Sequence, residues 1–269
     1  MNSVAIQAIH IHDSEFLRGM HADHFVDAVA GRLANFVTRV ADVSGSDVAH
    51  YICSSSLDFT CSGGWFDPAR LCATTLKYCG VPCSFSNALQ CATWGFMLRQ
   101  HMRCKPEIRH VVLSIVDANP LDLQFWDENS SWGRTGHRLT QLHLELCEAT
   151  DTVWVSGCNP QVMLYDYARE INRLMGLHAG HTLALPFFEA KMRKGLRRSV
   201  SDFPCLADHY EEFGHLCGSD PWMAIARQQL VEPDGGRRCI VSSIASQGYA
   251  CFLSAQSGPW TSTFIEGHA

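Results

Sequence analysis

The sequence has little charge for its length, and its net charge is acidic. Charged residues make up 18% of the 269 residues, and the formal net charge at pH 7 is −6. A nucleic-acid-binding surface needs a basic patch to neutralise phosphates, and none is visible. We therefore expect no nucleic-acid partner. The hydrophobic fraction of 46% still indicates a globular chain with a sizeable core.

Long apolar runs, an export signal and paired cysteines are also missing. The apolar runs are far shorter than a membrane span, and the N-terminal stretch has no basic start followed by an apolar region. Thirteen cysteines occur without a C-x-x-C pair, so we expect reduced thiols in a cytoplasmic protein that is not bound to a membrane. His10 and His12 lack further ligands at suitable spacing, and we expect no metal site there.

Strand and helix signals alternate through the first half of the chain. Apolar residues at helical spacing predict a helix over 22–42. Asp67, Pro68 and Gly80 have the spacing of an N-cap, a first-turn proline and a C-terminal glycine, which predicts a second helix. The continuous apolar run over 110–117 predicts a strand that is buried on both faces.

The second half repeats this organisation. A strand is predicted over 152–156, and the Asn159-Pro160 pair after it is typical of an N-cap and a first helical turn. The Asp220-Pro221 pair predicts the start of another helix in the same way.

Two strands separated by a turn that contains Gly248 close the pattern. No low-complexity linker divides the chain. We therefore predict an α/β fold with two similar halves, residues 1–150 and 151–269, within one compact unit.

Cys91 differs from the other cysteines in its placement. It precedes the stretch 92–98, which is apolar on nearly all sides and therefore predicts a buried central helix. At the first turn of a helix, unpaired N–H groups and the positive dipole end stabilise a thiolate and can bind an oxyanion. From these features alone, both a nucleophile and an ordinary packed thiol remain open.

The segment "CSFSNALQCATWGFML", followed by "HVVLSIVD", resembles the nucleophile region of the thiolase-like condensing enzymes. The resemblance is strongest to the ketoacyl-acyl-carrier-protein synthase III branch, in which a short strand leads to a Cys at the N-terminus of a buried helix. Three later segments resemble the family's P-H-Q-x-N segment, its G-N-T segment and its final strand pair: "VWVSGCNPQVMLYDYAREINRLMGL", "FGHLCGSDPWMAIA" and "VSSIASQGYACFLSA". The resemblance implies a thiolase-like five-layered α-β-α-β-α fold with two pseudo-symmetric halves.

The chain departs from that family at its catalytic motifs. The family uses Cys, His and Asn, but Ser156 stands where the motif His is expected, and His215 replaces the Asn that follows Gly. The resemblance implies Cys91 as nucleophile, the N–H groups of Cys91 and Gly248 as oxyanion donors, and His215 and Asn159 as further catalytic candidates. The alternatives are an exposed loop histidine for His215 and a simple N-cap for Asn159.

Two functions are compatible with these residues. The first is an acyltransferase or condensing enzyme that takes an acyl group from a coenzyme A or acyl-carrier-protein thioester onto Cys91. It would pass the group to a second substrate, in specialised metabolism such as secondary-metabolite biosynthesis, with no tightly bound cofactor. The alternative is a non-catalytic ketosynthase-like subunit that stabilises a catalytic partner in a heterodimer.

A dimer is expected in either case, as a homodimer or a heterodimer with another thiolase-like subunit, because a bare sheet edge exposes unpaired backbone groups. The loop aromatics Phe125, Trp126 and Trp132 are candidates to line an acyl tunnel or to cover the dimer interface.

Overall fold

Strands and helices alternate throughout residues 3–147 and 152–266, the part of the chain that the computed structural model describes. The helices are α1 (Ala22–Ser44), α2 (Asp58–Ser62), α3 (Pro68–Cys79), α4 (Thr93–Cys104), α5 (Gln124–Asp127), α6 (Met163–Leu177), α7 (Ala190–Ser199), α8 (Tyr210–Phe213) and α9 (Asp220–Val231). The strands are β1 (Val4–Asp13), β2 (Val48–Cys53), β3 (Cys83–Ser86), β4 (His110–Val116), β5 (Glu128–Asn129), β6 (Gly133–Arg134), β7 (Arg138–Glu145), β8 (Val153–Gly157), β9 (Thr182–Ala184), β10 (Arg237–Ala245), β11 (Tyr249–Ser257) and β12 (Ser262–Ile265). Within the described ranges, every helix is too short or too polar to cross a bilayer.

The strands of the first half lie in the order β3-β2-β4-β7-β1. Strand β2 runs parallel to β3 and β4, whereas β7 is antiparallel to both β4 and β1. The run over 110–117 forms β4, and its residues from Val111 to Val116 are all buried, as a strand covered on both faces requires.

The second half repeats this strand order without its outermost member. Its strands lie in the order β9-β10-β11-β8, with β10 parallel to β9 and β11 antiparallel to both of its neighbours. A single bridge from Leu183 to Cys205 occupies the place of the missing strand. Strand β1 pairs with β11 and connects the two sets. The predicted boundary at residue 150 lies outside the described residues.

Helices form three layers around these strands. Helices α1 and α3 pack together, with α1 over β2, β4 and β7 and α3 against β3. Helix α6 packs with α7 and contacts β10. Helix α4 contacts β2 of the first half and β8 and β11 of the second, while α9 contacts β1, β9, β10 and β12. Because α4 and α9 contact strands of both halves, they form the central layer of the predicted α-β-α-β-α arrangement.

The two central helices meet through a pair of buried tryptophans. The rings of Trp94 in α4 and Trp222 in α9 are 5.3 Å apart at an interplanar angle of 71°, an edge-to-face contact. The Trp94 Nε1–H donates to the Ser243 hydroxyl at 2.9 Å, which pairs the polar atom of that ring. The apolar stretch after Cys91 therefore folds as the buried helix that its composition predicts.

The residues that predict the ends of α3 lie at its ends in the structure. The Asp67 carboxylate accepts the Ala69 N–H at 2.9 Å, Pro68 is the first helical residue, and Gly80 ends the helix with a φ of +72°. The Asn159-Pro160 pair does not mark the start of α6 itself. Asn159 caps only a single 3-10 turn, Pro160–Val162, and α6 begins after it at Met163.

Gly95 sets how closely α4 approaches β11, and it provides a stability test. A Cβ at Gly95 would overlap the Cys251 Cβ and lie 2.8 Å from its Sγ. We expect Gly95→Ala to destabilise the fold by about 1–3 kcal/mol through overpacking, although alanine favours helices. Gly31→Ala in α1 is the matched control, because nothing lies within 4 Å of its Cβ position. It should stabilise by about 0.4–1 kcal/mol. Urea unfolding measures both, and equal effects would contradict the packing argument.

Candidate active site

Cys91 lies in a tight turn between β3 and α4. A single 3-10 turn, Gln90–Ala92, leads directly into α4 at Thr93. Gln90 has a φ of +45°, which is uncommon for a residue with a Cβ and indicates local strain. Cys91 therefore precedes the first turn of α4, one short turn earlier than the sequence predicts. It is buried, with 9% of its surface exposed, and it lines a cavity.

The second half of the chain brings His215 to the same point. The His215 Nε2 atom lies 3.9 Å from the Cys91 Sγ. The His215 N–H donates to the Arg134 carbonyl oxygen at 2.8 Å, and the Gly136 N–H donates to the His215 carbonyl oxygen at 3.0 Å. Gly214 has a φ of +75° and leaves no room for a Cβ, which would lie 2.6 Å from the Arg134 oxygen. The histidine is buried, so the exposed-loop alternative is wrong.

Asp220 completes a Cys–His–Asp arrangement that the sequence analysis missed. Its Oδ2 atom lies 2.6 Å from the His215 Nδ1, and its carboxylate also accepts the N–H groups of Leu216 (2.5 Å) and Phe187 (2.9 Å). The Phe187 carbonyl oxygen lies 3.2 Å from the same Nδ1. Because Nδ1 faces two acceptors, it carries a proton, and the other ring nitrogen is directed at the sulfur.

The Asp220-Pro221 pair was interpreted as an N-cap and first-turn proline. In the structure Ser219 is the N-cap, Asp220 is the first residue of α9, and its fully buried carboxylate faces His215. A carboxylate that follows a candidate catalytic histidine by five residues was the available signal. It was overlooked because capping explained the residue locally.

The pKa values of Cys91 and His215 are shifted in opposite directions, and each shift favours the charged form of the group. A hydrogen bond from the Cys217 thiol and then the neighbouring His215 lower the pKa of Cys91 well below its usual value, although burial opposes this. Burial disfavours the His215 imidazolium, but Asp220 and Cys91 outweigh it and raise the pKa of His215. Burial raises the pKa of Asp220 to about 6, which leaves it ionised at neutral pH. A thiolate paired with an imidazolium is an activated nucleophile.

Cys217 is a second thiol beside Cys91, and the sequence analysis did not single it out. It has a φ of +53° and is buried. The sulfur atoms of Cys91 and Cys217 and a ring nitrogen of His215 all lie within 4.8 Å of one another. Among the described residues, these three side chains form the compact group of potential metal ligands, and the His10–His12 pair is not part of it.

Asp117, at the end of β4, is a buried carboxyl group near Cys91. Its Oδ1 atom accepts the N–H groups of Ser55 (2.6 Å) and Ser56 (3.1 Å), which holds the turn after β2. Burial, and then the negative charge of Cys91, raise the pKa of Asp117 to about 7. Asp117 therefore positions one wall of the site and limits the negative charge next to the thiolate.

An apolar cavity opens in front of Cys91. It holds about 600 Å³ of empty space, its open mouth included. Trp126 and Trp132 stack on one wall with ring centroids 5.8 Å apart, and the Phe188 ring lies nearly parallel to the His215 ring. The remaining lining residues are Met163, Leu164, Met192 and Ile244, with Ser55, Gln90, Ser131, Cys217 and Ser246 as polar members. Such a cavity suits an apolar chain whose reactive end reaches the sulfur.

The loop aromatics divide between two positions. Trp126 and Trp132 line the cavity, in agreement with a tunnel. Phe125 is 46% exposed and packs edge-on against both of those rings from outside.

Three residues taken from the family motifs lie outside the cavity lining. Asn159 is exposed, and its side chain accepts the Gln161 N–H at 3.0 Å, which is the simple N-cap alternative. The Ser156 hydroxyl donates only to the carbonyl of the next residue, at 3.4 Å. The Gly248 N–H donates to the Ala245 carbonyl at 3.0 Å and is committed to the β10–β11 turn. The geometry therefore does not place Asn159 or Gly248 in the roles predicted for them.

Comparison with known proteins identifies the fold. No protein-family model and no curated protein matches the sequence. Among solved structures, a 3-oxoacyl-(acyl-carrier protein) synthase from Burkholderia xenovorans LB400 aligns over 98% of this chain and 97% of its own, with a TM-score of 0.64 and 11% identity. ChlB3, described as an acyltransferase, aligns over 96% and 100% (TM-score 0.64, 12% identity). AbyA1, a tetronic acid condensing enzyme, aligns over 94% and 99% (TM-score 0.61, 11% identity). The chain therefore has a thiolase-like fold of the ketoacyl synthase III type.

The Asp220 carboxylate can be tested through the reactivity of Cys91. Because Asp220 helps to keep His215 protonated, Asp220→Asn should lower the pKa of His215 and raise that of Cys91. At a pH below the thiol pKa, each unit by which the pKa of Cys91 rises lowers its thiolate fraction about tenfold. We expect iodoacetamide labelling of Cys91, followed by peptide mapping, to slow at neutral pH and its pH profile to move upward.

Asp166→Asn is the control, since that carboxylate accepts the Asn159 N–H away from the cavity. The exposed Cys104 serves as an internal reference for labelling. An unchanged pH profile in Asp220→Asn would show that the carboxylate does not act on the ion pair.

Proposed function

We propose that this chain is a cysteine-dependent acyltransferase. Cys91 takes an acyl group from a donor thioester, and the group is then transferred to a hydroxyl or amine acceptor. The observation that supports the proposal is the Cys91–His215–Asp220 arrangement at an apolar cavity. Its similarity in fold to an acyltransferase and to condensing enzymes agrees with it. Coenzyme A or an acyl carrier protein is the proposed donor, and specialised biosynthesis is the proposed setting.

The first step is acylation of the sulfur. The Cys91 thiolate attacks the thioester carbonyl carbon, and the carbonyl oxygen becomes an oxyanion. The Cys91 N–H, at the N-terminal end of α4, is a candidate donor to that oxyanion. When the intermediate collapses, the donor thiolate leaves and takes the proton from the His215 Nε2. The acyl chain then occupies the apolar cavity.

The second step is transfer to the acceptor. The His215 Nε2, now neutral, takes the proton of the acceptor hydroxyl or amine as that group attacks the acyl carbon. Cys91 leaves as a thiolate, and the imidazolium is again paired with it and with Asp220. The Asp220 carboxylate fixes the orientation of the ring by accepting from Nδ1.

The loss of one family donor also favours this chemistry over decarboxylative condensation. The resemblance implies that the family stabilises an enolate with two donors, His and Asn. Here Ser156 stands at the position of the motif His and lies outside the cavity lining, and Asp220 contacts the Nδ1 side of the His215 ring rather than the side that faces the sulfur. One imidazole donor remains, which is sufficient for acid–base work in acyl transfer. We therefore favour O- or N-acylation.

We also propose that the chain acts as a dimer in a reducing, cytoplasmic environment. Strand β3 ends the sheet and pairs only with β2 among the described strands, so its outer edge has backbone groups free for a partner. A reducing compartment keeps thiols such as Cys91 and Cys217 available for reaction.

Intact-mass measurement tests the proposal directly. After incubation with a panel of acyl-coenzyme A thioesters, we expect one acyl adduct per chain, which disappears in Cys91→Ala. Cys61→Ala is the control, because burial raises the pKa of Cys61 to about 11 and this thiol should not be acylated. Adding amines or alcohols should discharge the adduct about 10²–10⁴-fold more slowly in His215→Ala.

The absence of any adduct from coenzyme A and carrier-protein thioesters, with Cys91 still labelled by iodoacetamide, would overturn the acyltransferase proposal. The non-catalytic subunit of a heterodimer would then be the better interpretation.

Chain-length selection provides a second test. Met192 lines the cavity from α7, so Met192→Trp should fill part of the acyl space. We expect acylation by long-chain thioesters to fall at least tenfold while acetyl transfer changes little. Lys194→Trp places the same ring at an exposed position of α7 and should leave both rates unchanged. Equal loss for short and long chains would show that the acyl chain does not occupy this cavity.

A further inference from the structure

The geometry points to a metal site that overlaps the nucleophile, in which Cys91, His215 and Cys217 bind a soft divalent cation such as Zn²⁺. Two sulfur atoms and one imidazole nitrogen are a ligand set that zinc prefers. The three ligand atoms lie within 4.8 Å of one another, and all three residues line the same cavity.

The distance between the Cys91 sulfur and the His215 Nε2 is close to the sulfur–nitrogen distance in a tetrahedral zinc centre. With Zn–S and Zn–N distances of about 2.3 and 2.0–2.1 Å, a sulfur and a nitrogen bound to one zinc are about 3.5 Å apart. The Cys91 Sγ and His215 Nε2 are 3.9 Å apart, so a shift of a few tenths of an ångström is sufficient. Side-chain rotation can supply that shift without moving the backbone.

The carboxylate behind His215 and the charge balance of the three ligands also suit a metal centre. The His215 Nδ1–H donates to the Asp220 carboxylate, which orients Nε2 and increases its basicity, as carboxylates do behind zinc-bound histidines. Two thiolates and one Zn²⁺ sum to zero charge. A neutral centre is the least costly way to place a divalent ion in a buried site with apolar walls.

The backbone next to two of the ligands is strained. In the described part of the chain, the residues other than glycine with positive φ are Gln90, Asp122 and Cys217. Gln90 precedes Cys91, and Cys217 is itself a proposed ligand. Strain of this kind persists where the surrounding structure fixes a functional geometry. Here the strained residues lie in the two turns that carry the sulfur ligands, and both cysteines line the cavity.

Metal binding and acylation would exclude each other. Binding Zn²⁺ displaces the protons on the Cys217 sulfur and the His215 Nε2 and occupies the Cys91 sulfur that attacks a thioester. The metal-bound chain is therefore a blocked form, and a chelator or a competing thiol returns the nucleophile. The metal site itself does not depend on the acyltransferase proposal, because it needs only the three ligands.

The experiment uses the whole chain, freed of metal by a chelator under reducing conditions. We expect equilibrium dialysis to show one tightly bound Zn²⁺ per chain, and Co²⁺ to give the thiolate charge-transfer and intense visible bands of a tetrahedral sulfur-ligated centre. Cys217→Ser should weaken zinc binding by at least about 100-fold, and Asp220→Asn by about 10–100-fold. Cys72→Ser is the control, because it alters the separate Cys72–Cys83 pair and should leave zinc binding unchanged.

A second measurement avoids substitutions altogether. Saturating Zn²⁺ should protect Cys91 of the unaltered chain from iodoacetamide, as seen by peptide mapping, and a chelator should restore labelling. Labelling of Cys91 at the same rate with and without Zn²⁺ would overturn the proposal, as would zinc binding that survives Cys217→Ser and disappears in Cys72→Ser. Both measurements remain decisive if no thioester acylates Cys91, which separates the failure of this site from the failure of the proposed function.

Discussion

The contact between the two central helices decides where the reactive groups lie. Cys91 is in the turn before α4, and His215, Cys217 and Asp220 are at the start of α9. Trp94 and Trp222, both almost fully buried, fix the two helices against each other. The two turns are in contact at Gly218, where a Cβ would lie 3.6 Å from the Cys91 carbonyl oxygen, an ordinary van der Waals distance. Side chains 124 positions apart in sequence thus meet within 3.9 Å.

This placement concentrates buried ionisable groups, which would be costly if each were alone. Asp220 offsets that cost by accepting two backbone N–H groups and the N–H of the His215 ring, and Asp117 accepts the N–H groups of Ser55 and Ser56. His215 contributes the positive charge between the Asp220 carboxylate and the Cys91 thiolate. The hydrogen bond from Cys217 and then the neighbouring His215 explain why Cys91, although buried, has a lowered pKa while burial raises the pKa of Cys53 and Cys251.

The arrangement is compatible with both proposed chemistries, which differ in what reaches the sulfur. For a thioester, the thiolate is a nucleophile, and the imidazole moves a proton between the leaving and entering groups. For a soft cation, the sulfur and the imidazole are ligands, and Cys217 supplies the third. His215, whose ring contacts the Asp220 carboxylate, takes part in both proposals. The carboxylate increases the basicity of the ring toward a proton and toward a metal alike.

The sequence by itself determined the local elements and singled out the turn that holds Cys91. Asp67, Pro68 and Gly80 define α3 because caps act within a few residues, and the apolar run after Cys91 marks α4 because only a central helix is apolar on nearly all sides. The order of segments was also sufficient to predict the thiolase-like arrangement of two halves.

Only the tertiary structure decided the composition of the site. From the sequence alone, Asp220 looks like a helix cap and Cys217 looks like a packed thiol. Asn159 and Gly248 match motif positions, but each forms a hydrogen bond within its own turn. Their roles follow from which side chains the packing of α4 on α9 brings within bonding distance, and that distance is not encoded in any local pattern.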